Sequence, residues 1–352
     1  MYLNAIFKPS LDQLAFDPIR REFARSTVWW KRPLQRSYVA LATHRPTATY
    51  LAQAQVQVST AVPEDDCTLI VAGNHKLRLL NHRKRSVQNL LKVGFNDKFM
   101  RRELAVRPIA EACSVQMPAL LEVNESEGWY AERYMSGTPT NRLANPQEAV
   151  AAVQQAHQML QRLYNKTTET VTVATYVEQL QTALYRQITG HHLLTPSAQQ
   201  TVQQICQGLI DQIMGGRPAA RLPLETVLTH GDFQAANILV NSDGVWLIDW
   251  EYTARRQRQY DLFVFALNAR APHGLAARLQ RFVQEGWPCE SAEIDIQAQM
   301  SEQTQRQSHA GLFLLEELLL HLEENSQPQL TKIGAGLAQL QHECQLWLGT
   351  NE

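Results

Sequence analysis

Little in this sequence points to a stapled, membrane-spanning or polyanion-binding protein. Only five cysteines occur in 352 residues, and Cys67, Cys113, Cys206, Cys289 and Cys344 are widely spaced with no CxxC pair. That scatter argues against a disulfide framework or a structural zinc site and suits a reducing cytoplasm. Long apolar runs are missing too: the greasiest stretch, Leu312 to Leu322, is interrupted by Glu316 and Glu317 and is too short to span a bilayer. The first residues carry charges and prolines where a secretory signal needs an unbroken apolar core. Neither sign of charge dominates. Thirty-three basic and 34 acidic residues leave a net charge of -1, so no global basic field favours a nucleic acid partner. What the chain does have is core material, 44% hydrophobic against 19% charged, which excludes a disordered chain and leads us to expect a cytoplasmic globular protein.

The patterning divides the chain into three zones. Residues 1–60 mix aromatic and basic residues (Trp29, Trp30, Lys31, Arg32) without a clear period and read as an N-terminal extension. Residues 61–136 are strand-rich, with CTLIVAG, KLRLLN, SVQNLLKV, PALLEV and WYAERYM separated by turn residues and one helix over about 96–113. Residues 137–352 are mainly helical, with helices predicted over 146–164, 174–189, 196–214, 260–284, 294–325 and 330–348. One hairpin interrupts them: NILV and VWLIDW flank Asn241-Ser242-Asp243-Gly244, whose Asp-Gly pair is a strong turn signal. The expected class is α+β, a small antiparallel-sheet lobe followed by a large helical lobe.

The hairpin carries the chemistry. His230-Gly231-Asp232-Phe233-Gln234-Ala235-Ala236-Asn237 precedes it, and Ile248-Asp249-Trp250-Glu251 ends it. An acid, an amide five residues on and a second acid after a strand suit magnesium-dependent phosphoryl transfer. One carboxylate orients the attacking hydroxyl, while the amide oxygen and the other carboxylate are hard ligands for Mg²⁺ on ATP phosphates.

HGDFQAAN and IDWEY make the segment resemble the aminoglycoside phosphotransferase and choline kinase superfamily, which shares the two-lobed protein-kinase fold. The resemblance spans roughly residues 66–325 and is strong at 228–262. It implies Asp232 as catalytic base, Asn237 and Asp249 as metal ligands, ATP or less often GTP as donor, and a small-molecule hydroxyl as acceptor. Asp261, opening a helix, is expected to cap backbone amides and buttress the catalytic loop, and His230 to pack and hydrogen-bond. A small lobe of this kind needs a lysine gripping phosphates and a glutamate holding it. Lys92 and Glu103 fit those roles, with Lys98 and Glu111 as competitors for register. Gly73, between the first two strands, is the candidate for a phosphate-cradling turn, and Glu132 to Gly137 resembles the family's inter-lobe segment.

For the acceptor, Glu251, Tyr252 and Arg255 directly follow the metal-ligand string and are the nearest candidates. A cationic acceptor calls for carboxylates and aromatic walls. Glu316, Glu317, Glu323 and Glu324 are further acids, read as the wet face of a long amphipathic helix, and Trp287 is a further aromatic. Arg255, Arg256 and Arg258 suit an anionic acceptor but read first as solvated loop residues, and His82 to Arg85 as a solvated hairpin tip. Two rivals remain at this stage. One is a nucleotide-binding pseudokinase or scaffold acting through the first 60 residues. The other is a protein kinase, disfavoured because no Ala-Pro-Glu activation segment follows Asp249.

Overall fold

Alternating apolar residues and short turns build the first of two units. The computed structural model describes residues 5–8, 10–17, 19–20, 30–52, 64, 66–215, 221–288 and 302–349. These form one unit from Met1–Asp97 with Pro118–Ser136, and another from Lys98–Met117 with Gly137–Glu352. Cys289, Trp29 and positions 294–301 of a predicted helix lie outside the described residues.

The first unit is a six-stranded antiparallel sheet in the order β1-β2-β3-β4-β6-β5, from β1 (Ala5–Ile6), β2 (Thr68–Ala72), β3 (Lys76–Asn81), β4 (Ser86–Leu91), β5 (Leu120–Asn124) and β6 (Trp129–Arg133). Register puts Leu69 opposite Leu80 and Leu80 opposite Val87, on one face. Because side chains alternate, Ile70, Leu77, Leu79 and Leu90 fall on the other face, where all are half-buried. The N-terminal residues cover the first face. Leu11, Phe16, Ile19, Val39 and Ala42 form a core cluster with Leu69, and Val71 and Leu80 pack against it. The described residues of this N-terminal segment hold α1 (Lys31–Thr43) and α2 (Arg45–Leu51) and supply β1 as an edge strand, elements that the sequence pattern did not announce. The β3–β4 tip is exposed as expected, and its charges meet in surface pairs, Arg83 with Asp66 at 2.9 Å and Lys84 with Glu64 at 2.7 Å.

The second unit is mainly helical, with α3 (Lys98–Ala112), α4 (Pro146–Thr167), α5 (Val173–Thr189), α6 (Pro196–Met214), α7 (Tyr260–Ala266), α8 (Leu275–Glu285), α9 (Gln303–Asn325) and α10 (Ala335–Gly349). Three of these starts are written in the sequence as side-chain caps. Asn145 accepts from the Gln147 amide, Thr172 from Thr175 and Thr195 from Ala198, with proline opening α4 and α6. Two three-stranded antiparallel sheets join the helices, β11-β10-β7 and β12-β9-β8. They comprise β7 (Thr138–Pro139), β8 (Glu169–Thr172), β9 (Pro223–Thr229), β10 (Ile238–Asn241), β11 (Gly244–Leu247) and β12 (Ala254–Gln257). The second sheet had no clear signal, since its strands are short and flank helices.

Two helical expectations are corrected. The helix predicted over 260–284 is broken, because α7 stops at Ala266, Asn268 turns left-handed at φ 47°, and Pro272 and Gly274 intervene before α8. And α9 has no wet glutamate face: Glu316, Glu317 and Glu323 are all buried, since the helix is packed by α5, α6, α8, α10 and β12. The α+β class, with an antiparallel sheet in one unit and mostly helix in the other, stands as expected.

Candidate functional site

The loop leaving β9 is bent by one glycine and held by one carboxylate. Gly231 adopts φ 86°, and a Cβ there would lie 2.0 Å from the Tyr252 carbonyl oxygen, so no other residue fits. Asp261, in the first turn of α7, accepts from the amides of His230 at 2.7 Å and Gly231 at 2.8 Å, and from the Tyr164 hydroxyl at 2.6 Å. It buttresses the loop as expected and caps no amide of its own helix. His230 is fully buried, and burial lowers its pKa, so its neutral imidazole works as a strut. Nδ1 accepts from the Asp232 amide at 3.2 Å, which leaves Nε2 to donate to the Ile248 carbonyl at 3.1 Å, and the ring lies 4.4 Å from Trp250. One side chain thus ties the Asp232 loop to the segment after β11 that carries Asp249.

Asp232, Asn237 and Asp249 are brought to one end of this hairpin. The β10–β11 ladder pairs Ile238 with Leu247, and the Ile248 amide donates to the Asn237 carbonyl at 3.1 Å, so Asp249 lies just past the ladder end. The turn itself is Ser242-Asp243, with Asn241 accepting from the Asp243 amide at 2.9 Å and Gly244 closing the ladder. Asp249 has φ 68°, the left-handed region that a non-glycine residue enters at a cost and that clusters at functional sites. Asn237 is buried and spends its Nδ2 on Asp232, at 2.7 Å to Oδ2 and 2.9 Å to the carbonyl, which turns its Oδ1 away. An amide oxygen and a carboxylate are hard donors that fit Mg²⁺. Among the described residues there is no cluster of three or more His, Cys, Asp or Glu side chains able to hold a metal without a ligand's help.

Sequence reasoning missed Arg270. Its Nε donates to Asp232 Oδ1 at 2.6 Å, Nη1 to Glu317 Oε2 at 2.6 Å, and Nη2 to the Gly231 carbonyl. Tyr260 donates its hydroxyl to Glu317 from below. Burial works against the Arg270 charge, but Glu317, Tyr260 and Asp232 outweigh it and raise its pKa. The signal that was available is the Asn268…Pro272…Gly274 break, which ends a helix and sets a loop beside the site. Further along α9, His321 faces Glu324 at 3.2 Å, Tyr252 donates its hydroxyl to Glu324, and Glu323 takes Lys98 at 2.5 Å and Arg102 at 2.7 Å. Tyr252 also meets Phe99 edge-on at 5.5 Å. Glu251 is buried.

The remaining candidates are placed differently. Arg255 sits on β12 with its guanidinium on the Thr167 and Thr226 carbonyls and Glu169, while Arg256 is buried against Tyr252, Thr229 and Tyr260. Arg258 is tied to Glu225, Gln161 and Asn165. These arginines staple sheet and helix and do not form a solvated loop. Trp287 packs on Phe263 and Phe282 at 4.9 and 4.4 Å, within an aromatic cluster. In the first unit Lys92 and Gly73 come together: Lys92 Nζ donates to the Gly73 and Asn74 carbonyls at 2.6 and 3.0 Å. The Gly73 amide closes the turn onto the Lys76 carbonyl at 2.9 Å. Glu103, on α3 in the second unit, is buried and 3.4 Å from Arg107.

The family model described as the phosphotransferase enzyme family (APH) matches residues 95–292, more than half of the chain. No curated protein sequence matches. Similar solved structures include a choline/ethanolamine kinase family protein from Mesorhizobium loti, 14% identical over 90% of this chain and 94% of that one, at a TM-score of 0.45. An ethanolamine kinase from Plasmodium vivax is 12% identical over 97% and 96%, at 0.48. The ADP-bound aminoglycoside phosphotransferase APH(2'')-Ib is 15% identical over 78% and 92%, at 0.44.

Proposed function

This chain belongs to the phosphotransferase enzyme family and is a small-molecule kinase acting on an alcohol group, and from that premise we propose that ATP with Mg²⁺ is its donor and Asp232 its base. The carrying observation is the hairpin end, where Asp232 and Asn237 are hydrogen-bonded and Asp249 follows the last ladder pair. Asp232 orients the acceptor hydroxyl and takes its proton as the hydroxyl oxygen bonds to the γ-phosphorus and the bond to the β,γ-bridging oxygen breaks, its electron pair leaving on ADP. Asn237 and Asp249 would hold the cation, which when bound neutralises charge on the phosphate oxygens. In the first unit, the half-buried face of Ile70, Leu77, Leu79 and Leu90 suits a purine, with Lys92 at its end for the phosphates. Gly73 is proposed as the turn over the phosphates, and Glu103 remains a proposed acid of the nucleotide site. Glu251 and Tyr252 are proposed for the acceptor side. Arg255, spent on β8 and β9, has less to support it.

The acceptor class follows from charge. Asp232 and Glu317 share Arg270, and Glu323 takes Lys98 and Arg102. Carboxylates already matched leave little for a polycation, which supports a sugar or an amino alcohol over an aminoglycoside. Screening a metabolite library for ATP-dependent gain of one phosphoryl group tests this, and labelling of aminoglycosides alone would overturn it. Asp232→Asn is expected to abolish transfer while sparing nucleotide binding, and Asp249→Asn to weaken Mg²⁺-ATP binding as well. Near-normal turnover in Asp232→Asn would refute the assignment.

A further inference from the structure

Asp232 is held from two sides. A carboxylate offers about four lone-pair sites. On Oδ2 two are taken, by Gln234 Nε2 at 3.0 Å and Asn237 Nδ2 at 2.7 Å, whereas Oδ1 has one donor in hydrogen-bond range, Arg270 Nε at 2.6 Å. The oxygen with room for an acceptor hydroxyl is therefore the one that Arg270 grips. Arg270 is itself immobilised, by Glu317 on α9, by the Gly231 carbonyl and by the Tyr260 hydroxyl at 3.4 Å. A guanidinium is planar, so fixing Nη1 and Nη2 fixes the direction of Nε–H. The Asp232 orientation is thus imported from α9 through one side chain on the loop between α7 and α8.

We infer that Arg270 is a positioning residue for phosphoryl transfer, holding the Asp232 carboxylate so that Oδ1 meets the acceptor hydroxyl. The inference rests on the reading of Asp232 as the base. Local contacts alone do not complete the arrangement, because Gln234 and Asn237 lie on the same loop and hold only Oδ2. Lysine keeps the charge but offers one point where the fork offers three, so it cannot span Glu317, Gly231 and Asp232 together.

The test uses the full chain with ATP and Mg²⁺, and water as acceptor. In that probe reaction water oxygen bonds to the γ-phosphorus, the bond to the β,γ-bridging oxygen breaks with its electron pair leaving on ADP, and the released proton passes to Asp232. Arg270→Ala is expected to lower kcat by about a hundredfold, the scale of a misplaced catalytic group, with KM for ATP unchanged. Millimolar guanidinium chloride should restore part of the rate, and sodium chloride of equal ionic strength should not. Arg270→Lys, which still answers Glu317, is the variant to use if alanine does not fold. It should be slow with unchanged KM and show no rescue. Crystal structures of the variants supply a readout free of activity: the Asp232 carboxylate should leave its position. Asp232 unmoved in both variants overturns the inference. So does hydrolysis lost in Asp232→Asn but normal in the Arg270 variants, which leaves the proposed function standing. Equal hydrolysis in the wild type and Asp232→Asn overturns the proposed function instead.

Discussion

Single side chains in this molecule act by converting backbone geometry into a fixed carboxylate. Asp261 is the clearest case, since one group receives two loop amides and a tyrosine hydroxyl. An asparagine there would turn an amide NH2 toward those donors on one side. Asp261→Asn is expected to cost about 1.5–3 kcal/mol, the range for hydrogen bonds to a charged group, and to lower kcat with it. Denaturant unfolding and turnover, measured together, check both. Asp232, Asn237 and Asp249 were legible because their spacing is local: five residues and one hairpin bring them together. Arg270 was not. It lies 38 residues from Asp232 in sequence, and no local pattern couples an arginine after a broken helix to an aspartate on an earlier loop.

Among elements, α9 departs most from its pattern. Glutamates at helical spacing ordinarily mark a solvent face, but here the helix is enclosed and its acids are satisfied by neighbours. Glu316 accepts from the Tyr176 hydroxyl, the Gln257 amide and Gln257 Nε2, yet burial pushes its pKa up to about 7. Two turns earlier, His309 Nδ1 contacts Gln257 Oε1 at 2.7 Å, and burial lowers its pKa to about 4. The two shifts have opposite consequences. An acid with a raised folded pKa gives stability that is complete below about 4.5 and is lost as pH rises through about 7. A histidine with a lowered folded pKa gives stability that is complete above about 6.5 and is lost as pH falls through about 4. The contributions offset each other across that window. Glu316→Gln is therefore expected to lose Tm on acidification from neutral pH, and His309→Gln to lose Tm as pH rises toward neutral. Thermal unfolding at a series of pH values checks both slopes, and parallel slopes would contradict the assignment.

At the scale of the whole molecule, the sheet of the first unit has two faces with different roles. One carries the half-buried residues proposed for the nucleotide, and the other is sealed by the N-terminal segment, where Phe16 is buried and meets Phe7 at 4.8 Å. Phe16→Ala is expected to destabilise this unit by about 3–5 kcal/mol, the range for truncating a buried phenylalanine. Hydrogen exchange on β2 and β3 should rise while α4 to α6 stay protected. Equal exchange in both units would refute a role confined to the sheet. Among the described residues, no helix is long and apolar enough to cross a membrane.

Strand alternation, helix caps and the loop-hairpin motif act over a few residues, so the amino-acid order alone announced the two kinds of zone, several helix starts and the Asp232, Asn237 and Asp249 set. Packing decided what depends on distant neighbours. It turned the α9 glutamates inward, set the three arginines of residues 255–258 as staples, folded the N-terminal residues onto the sheet and brought Arg270 to Asp232. Each of these outcomes is a choice of burial, and whether a charge is buried or wet is settled by the partner that reaches it from elsewhere in the chain.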